Sequence, residues 1–104
     1  MKAATKFTGS SFHGTTIYAT PNELISLANK LGANYSDCNG DEDKTNFDFD
    51  FETDSGIYFT VYDWKEYRTL DLNETIRWNI GGETANDTRE AVVELARAIQ
   101  DNNN

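Results

Sequence analysis

Hydrophobic and polar positions alternate most regularly in residues 46–64, which read NFDFDFETDSGIYFTVYDW. The first half has a phenylalanine at every second position and an acidic residue between, the period of two that separates the faces of a β-strand. A turn-forming tetrad, Thr53–Gly56, leads into Ile57–Trp64, which is rich in β-branched and aromatic residues. The pattern predicts a β-hairpin with an aromatic face that must be covered. The phenylalanines are Phe47, Phe49 and Phe51.

A second pattern has the period of an α-helix and predicts a helix over Pro21–Leu31. Thr20 and Glu23 have the spacing of a capping box, and the proline occupies the first helical position, where its missing N–H costs nothing. Gly32 is predicted to end the helix in the left-handed conformation. The apolar stripe of this helix consists of Leu24, Leu27, Ala28 and Leu31.

The remaining elements follow from shorter signals. Strands are predicted at Thr15–Ala19 and Thr75–Ile80, the second one ended by a pair of glycines. A last helix is predicted to begin at Asp87 as its cap, with Glu90 three residues on. Residues 34–45 are predicted to be loop, and residues 1–4 and 101–104 to be loose tails. The apolar stripe of the last helix consists of Val92, Leu95, Ala96 and Ile99.

These elements predict a single α+β domain over residues 1–104: an antiparallel sheet of about four strands, with both helices packed on one face. The number of strands between residues 63 and 80 is left open. The other face of the sheet is expected to be exposed to solvent or to bind a partner. The predicted core consists of Ile17, Leu24, Leu27, Leu31, Phe47, Phe49, Phe51, Trp78, Leu95 and Ile99.

Charge restricts the range of partners. Eighteen acidic against nine basic residues leave a net charge of −9, which repels nucleic acid and anionic membranes and favours basic partners. Solubility alone is the alternative explanation. Cys38 is the single cysteine, so an intrachain disulfide is excluded. No apolar run has the length of a signal peptide or a membrane helix, and a cytoplasmic protein is expected.

The polar face of the hairpin is the first candidate site. Its carboxylates are predicted to lie about 6.8 Å apart, at two residues of strand rise, a spacing similar to that of phosphates along one DNA strand. The alternatives are a solvated face neutralised by Arg77 or Lys65, or a face that is itself partly buried. The predicted partner-binding residues are Asp48, Asp50, Glu52, Asp54, Tyr58, Tyr62 and Trp64.

A second candidate site joins the loop around His13 to the glycine pair near the end of the chain. A serine–histidine pair is a possible nucleophile, and glycines before a helix are suited to an anion. No nucleophile-elbow or phosphate-loop pattern is present, so catalysis is not expected. The residues of this alternative ligand site are Ser10, Ser11, His13, Gly81 and Gly82.

No metal site or cofactor is expected, because the chain has one histidine, one cysteine and no metal-binding motif. Asp37, Asn39 and Asp41 alternate as at the start of a calcium loop. The glycine falls at position 40, however, which excludes an EF-hand. Only weak cation binding is left open there.

Several short segments in fixed order also resemble a known group. They are GSSFHG at 9–14, ELI at 23–25, LG at 31–32, FTVYDWK at 59–65 and WNIGG at 78–82. The chain resembles small uncharacterised proteins encoded by bacteriophages and prophages, in which a GTS-type loop, an ELxxxLG helix, an IYDYK strand and a WHIGG segment follow in this order. Asn79 stands where that pattern has histidine. The resemblance implies a phage origin and brings no activity with it.

Three functions are therefore compared. The first is a small acidic protein that binds a host macromolecule, a basic nucleic-acid-handling protein, and modulates or inhibits it. The second is a small-molecule or nucleotide binder, or an enzyme, that uses the second candidate site. The third is a phage structural or assembly component, which exposed edge strands and a defined oligomer would indicate. The first is preferred, and no catalytic role is expected.

Overall fold

The computed structural model describes residues 1–5, 11–39, 46–63 and 68–103. Its elements, in chain order, are β1 (Lys2–Ala3), β2 (Ser11–Ala19), α1 (Pro21–Leu31), β3 (Tyr35–Asp37), β4 (Phe47–Glu52), β5 (Tyr58–Asp63), β6 (Ile76–Gly82) and α2 (Ala85–Asn102). The α+β class is thereby confirmed.

The strands of the described residues form one antiparallel, six-stranded sheet, where about four strands are predicted. Its order is β1-β4-β5-β6-β2, and β3 also pairs with β4. The two strands that the sequence analysis missed, β1 and β3, are two and three residues long. They are too short for any periodicity to show, and both depend on β4 as their pairing partner.

The loop and tail predictions are corrected accordingly. Residues 35–37 of the predicted loop form β3, while 40–45 lie outside the described residues. Residues 1–4 are not loose, since Lys2 and Ala3 pair with Glu52 and Phe51. At the other end, Asp101 and Asn102 continue α2.

Helix α1 has the predicted boundaries because its sequence supplies both ends. The Thr20 hydroxyl accepts from the Glu23 backbone N–H, and the Glu23 carboxylate accepts from the Thr20 backbone N–H at 2.9 Å. Gly32 ends the helix with a φ of 70°, in the left-handed region. The start of α2 differs: Thr84, not Asp87, is the cap, and its hydroxyl accepts from the Asp87 backbone N–H.

The glycine pair does not end the last strand as predicted. Gly81 and Gly82 belong to β6, because Phe12 and Ser11 of β2 pair with them. At Gly82 the strand passes close to α2: a Cβ built there lies 2.8 Å from the Thr88 side chain. The absence of a side chain is what allows the helix to turn back onto the sheet.

The core lies between the sheet and the helices. Phe47, Phe49 and Phe51 are fully buried and stack on one another with ring centroids 6.1 Å apart. Trp78 meets Phe49 edge-on at 5.8 Å, and its Nε1 donates to the Ala19 carbonyl at 2.9 Å. The inward-facing residues of both helices join this cluster, with Ile17 and Leu31 only partly buried in it. Ala96, predicted in the apolar stripe of the last helix, is instead exposed. The inward orientation predicted for the three phenylalanines is confirmed.

Candidate functional site: the outer face of the sheet

The sheet face opposite the helices, here called the outer face, carries the polar residues of the central strands. In one row across these strands, Asp48 pairs with Tyr62, which pairs with Asn79. Residues paired directly across an antiparallel sheet share a face, so these three side chains are neighbours. A second row, one pleat along, consists of Asp50, Thr60 and Gly81.

Asp48 is the most perturbed acid described. It is only partly exposed, and its Oδ1 is buried without a hydrogen-bond partner. Burial raises the pKa of this carboxyl from 3.8 to about 6, and the charges of Asp50 and Asp63 add to the effect. A cation or hydrogen-bond donor that reaches a carboxylate in such a buried position stabilises its charged form.

The neighbours of Asp48 share this environment. Burial raises the pKa of Asp50, whose carboxylate has no ion pair or hydrogen bond within the described part of the chain. Burial, followed by the charge of Asp48, also raises the pKa of Tyr62. Desolvation is therefore common to the centre of the outer face.

Asn79 is the functional candidate that sequence reasoning missed. It is 1 % exposed, and its Nδ2 is a buried donor without a partner. A buried polar group in this state costs about 1–3 kcal/mol, and such groups are rare in native proteins. In the sequence Asn79 is one of the alternating polar positions of its strand, and no local signal separates it from Arg77, which is exposed.

The prediction that Asp48, Asp50 and Glu52 form one accessible row of carboxylates is wrong at Glu52. It is 5 % exposed and forms a salt bridge with Lys2 at 3.2 Å, where Arg77 or Lys65 was considered as the partner. Thr5 donates to the same carboxylate from its hydroxyl at 3.2 Å. These contacts outweigh burial and lower the pKa of Glu52. The alternative of a partly buried outer face is thus the one the structure shows.

Two of the other predicted partner-binding residues, Tyr58 and Asp54, lie at the turn end of the hairpin. The Tyr58 hydroxyl is 3.1 Å from that of Thr5. Asp54 is exposed, but its carboxylate accepts from the amino group of Met1 at 2.6 Å. Trp64 lies outside the described residues. Asp48, Asp50 and Tyr62 are therefore the predicted residues that the structure brings together.

The alternative ligand site is assembled in part. Ser11 and His13 belong to strand β2 and not to a loop as predicted. Strand pairing places Ser11 beside Gly82, and the Nε2 of His13 lies 3.1 Å from the Gly82 carbonyl. Ser10 lies outside the described residues. A shallow surface depression lies elsewhere, on the exposed side of α2. It is lined by Arg89, Glu90, Val93, Glu94 and Arg97.

Three further findings concern metal binding, membrane spans and similarity to known proteins. Within the residues described, no cluster of three or more histidine, cysteine or acidic side chains is arranged to hold a metal ion. None of the described helices combines the length and the apolarity that crossing a membrane requires. Comparison with protein-family models, curated proteins and solved structures finds no match.

Proposed function

We propose that this chain is a binding protein that engages a basic macromolecule through the outer face of its sheet. The observation that carries the proposal is the state of Asp48 and Asp50. They are adjacent on the outer face of β4, both partly buried, and neither has a cationic partner among the described residues. Glu52, on the same face of β4, does have such a partner, because it forms a salt bridge with Lys2.

The unpaired carboxylates favour a partner with lysine or arginine. Two desolvated acids on one face repel each other, and an incoming cation relieves that repulsion while forming charge-assisted hydrogen bonds. The net charge of −9 attracts such a partner at long range and speeds the encounter. The same charge opposes direct binding to nucleic acid or to an anionic membrane.

The resemblance to phage-encoded proteins supplies the biological setting of the proposal. The partner is a host protein that handles nucleic acid, in the host cytoplasm, and occupation of its basic cleft modulates or inhibits it. Of the three carboxylates on the outer face of β4, only those of Asp48 and Asp50 have no cationic partner among the described residues. We therefore propose local recognition of basic side chains and not an extended imitation of a DNA backbone. Binding, and not catalysis, is the proposed activity.

A charge-matched pair of double variants tests this proposal. Asp48→Asn/Asp50→Asn removes two charges from the outer face, and Glu90→Gln/Asp101→Asn removes two from exposed positions on α2. Titration with a lysine-rich peptide at low salt is expected to show about tenfold weaker binding for the first variant only. Higher salt is expected to weaken binding by the wild type. Equal losses in both variants would reduce the effect to net charge and overturn the proposal.

Small-molecule or nucleotide binding is the second candidate, and the contact between His13 and Gly82 favours it. A thermal-shift screen with nucleotides, repeated on His13→Ala, tests this site. Stabilisation that requires His13 would support it.

Assembly is the third candidate, and the position of β2 favours it. This nine-residue strand contains no lysine, arginine or acidic residue and ends the sheet order beyond β6. Such an edge is suited to pairing with another strand. A defined oligomer in light scattering, broken by Thr16→Lys, would support it.

A further inference from the structure

We infer that the outer face recognises a lysine- or arginine-bearing peptide segment, whose cation pairs with Asp48 and whose carbonyl oxygen accepts from Asn79. This inference rests on the proposed function and specifies the chemistry of the partner. It depends on two atoms that are buried and unpaired on the same row of the sheet, Oδ1 of Asp48 and Nδ2 of Asn79.

The two unpaired atoms are of opposite type. The Asp48 oxygen is an acceptor, and the Asn79 nitrogen is a donor. A simple cation satisfies the carboxylate and leaves the amide unpaired. An anion does the reverse and is repelled by Asp48 and Asp50. The complementary ligand therefore combines a cationic donor with a neutral oxygen acceptor.

The spacing of the two residues favours a peptide as that ligand. Asp48 and Asn79 are separated by two strand spacings, about 10 Å across the sheet. A single ammonium or guanidinium group offers only donors, so it can pair with Asp48 Oδ1 but not with Asn79 Nδ2. A lysine stem together with a residue of extended chain, at about 3.3–3.6 Å per residue, spans this gap and provides a main-chain carbonyl.

Tyr62 is placed to control access to both atoms. It lies between Asp48 and Asn79 in the row and is itself partly exposed. Since both unpaired atoms are buried, a ligand reaches them only if a side chain moves, and Tyr62 is the described neighbour that they share. Once displaced, its ring can stack against the incoming cation.

Separate internal waters are the competing explanation, because a water can pair with either atom alone. The probes that distinguish the cases are a lysine-containing peptide and spermidine, matched in charge. Spermidine has ammonium groups and no carbonyl, so it can use Asp48 but not Asn79.

The experiment compares wild type, Asp48→Asn and Asn79→Ala by calorimetric titration with both probes. We expect Asp48→Asn to weaken both probes, and Asn79→Ala to weaken the peptide about tenfold while leaving spermidine unchanged. Asn79 is buried, so its replacement also perturbs the packing of the sheet. The side-chain amide resonances of Asn79 in the wild-type ¹H–¹⁵N spectrum therefore give a second readout, expected to shift with the peptide and not with spermidine.

The outcomes separate this inference from the proposed function. If the peptide binds through Asp48 and Asp50 but the Asn79 resonances and variant are unaffected, the amide holds internal water only. The inference is then overturned while the proposed function stands. If the Asp48→Asn/Asp50→Asn and Glu90→Gln/Asp101→Asn variants lose affinity equally, both are overturned.

Discussion

The two faces of the central strands differ in how completely their groups are matched. On the core face, Phe49 is fully buried between stacked phenyl rings, and the one polar atom of Trp78 has a carbonyl partner. On the outer face, Oδ1 of Asp48 and Nδ2 of Asn79 are buried without hydrogen-bond partners. The same strands therefore have their stabilising contacts on the core face and polar atoms without hydrogen-bond partners on the outer face. A ligand that pairs with these atoms gains the most binding free energy on the outer face.

Asp63 is the exception on the core face. It is fully buried, and its Oδ1 accepts from the Phe47 backbone N–H at 2.8 Å, while Oδ2 has no partner. One strong charge-assisted bond holds the start of β4 in place. The core face thus has one incompletely paired acid, whose other oxygen binds the backbone, and the outer face has two unpaired atoms, Oδ1 of Asp48 and Nδ2 of Asn79.

The largest effect is expected on the core face. Phe49→Ala removes a ring that packs against Tyr35, Phe47, Phe51 and Trp78, and it should lower the free energy of unfolding by about 3–5 kcal/mol in chemical denaturation. The matched aromatic control is Tyr18→Ala, at a position that is 69 % exposed. Its effect should stay within about 0.5 kcal/mol. Comparable losses from the two variants would contradict the division between faces.

Next in size is a stabilisation on the outer face. Asp48→Asn should raise the free energy of unfolding by roughly 1–2 kcal/mol at pH 7, less than the full pKa shift implies, because solvent screens a partly exposed group. A raised folded pKa means that the wild-type contribution is fully present below pH 3.8 and is lost as the pH rises through about 6. The gain should therefore disappear in acid.

Denaturation curves between pH 4 and 7 check this prediction. The control is Asp101→Asn, an exposed acid on α2, which should show no such pH-dependent gain. If Asp48→Asn destabilises the protein at pH 7, its carboxylate is paired in solution and the account of the outer face is wrong.

A smaller effect is expected at the start of α1, away from both faces. Thr20→Ala removes the capping hydroxyl and should lower the free energy of unfolding by about 1 kcal/mol. Thr20→Ser keeps the acceptor and should stay close to wild type in the same thermal or chemical denaturation. Equal losses would assign the effect to packing of the methyl group.

The smallest effect is local and concerns the edge of the outer face. Glu52→Gln keeps the shape of the side chain but removes the charge that pairs with Lys2, so β1 should open more often. The lowered pKa makes this contribution present above the usual 4.5 and lost as the pH falls through the folded pKa. Faster amide exchange at residues 2–5, with the core unchanged, is the expected measurement. Unchanged exchange would mean that strand pairing alone holds β1.

Local signals in the sequence account for much of the fold. The hairpin of β4 and β5 follows from strict alternation, and α1 follows from its capping box, proline and left-handed glycine. The predicted start of α2 is wrong by about one turn, because Thr84 and Asp87 are three residues apart and both are favourable cap residues. Choosing between them depends on where β6 delivers the chain, which Gly82 and its contact with Thr88 decide.

The candidate site was predictable only in outline. Alternation assigns Asp48, Asp50 and Glu52 to one face. Whether each carboxylate has a partner depends on which distant residues lie beside it. Lys2 reaches Glu52 from fifty residues away because β1 pairs with β4. No local pattern contains that contact, since a two-residue strand has no detectable period.

By itself, the sequence determined which side chains of β4, β5 and β6 share a face and where α1 begins and ends. These properties depend on residues a few positions apart. Only the tertiary structure decided that Asn79 joins Asp48 across Tyr62, and that Glu52 is neutralised while Asp48 is not. Burial and pairing depend on strand order and register, which bring together groups far apart in the chain.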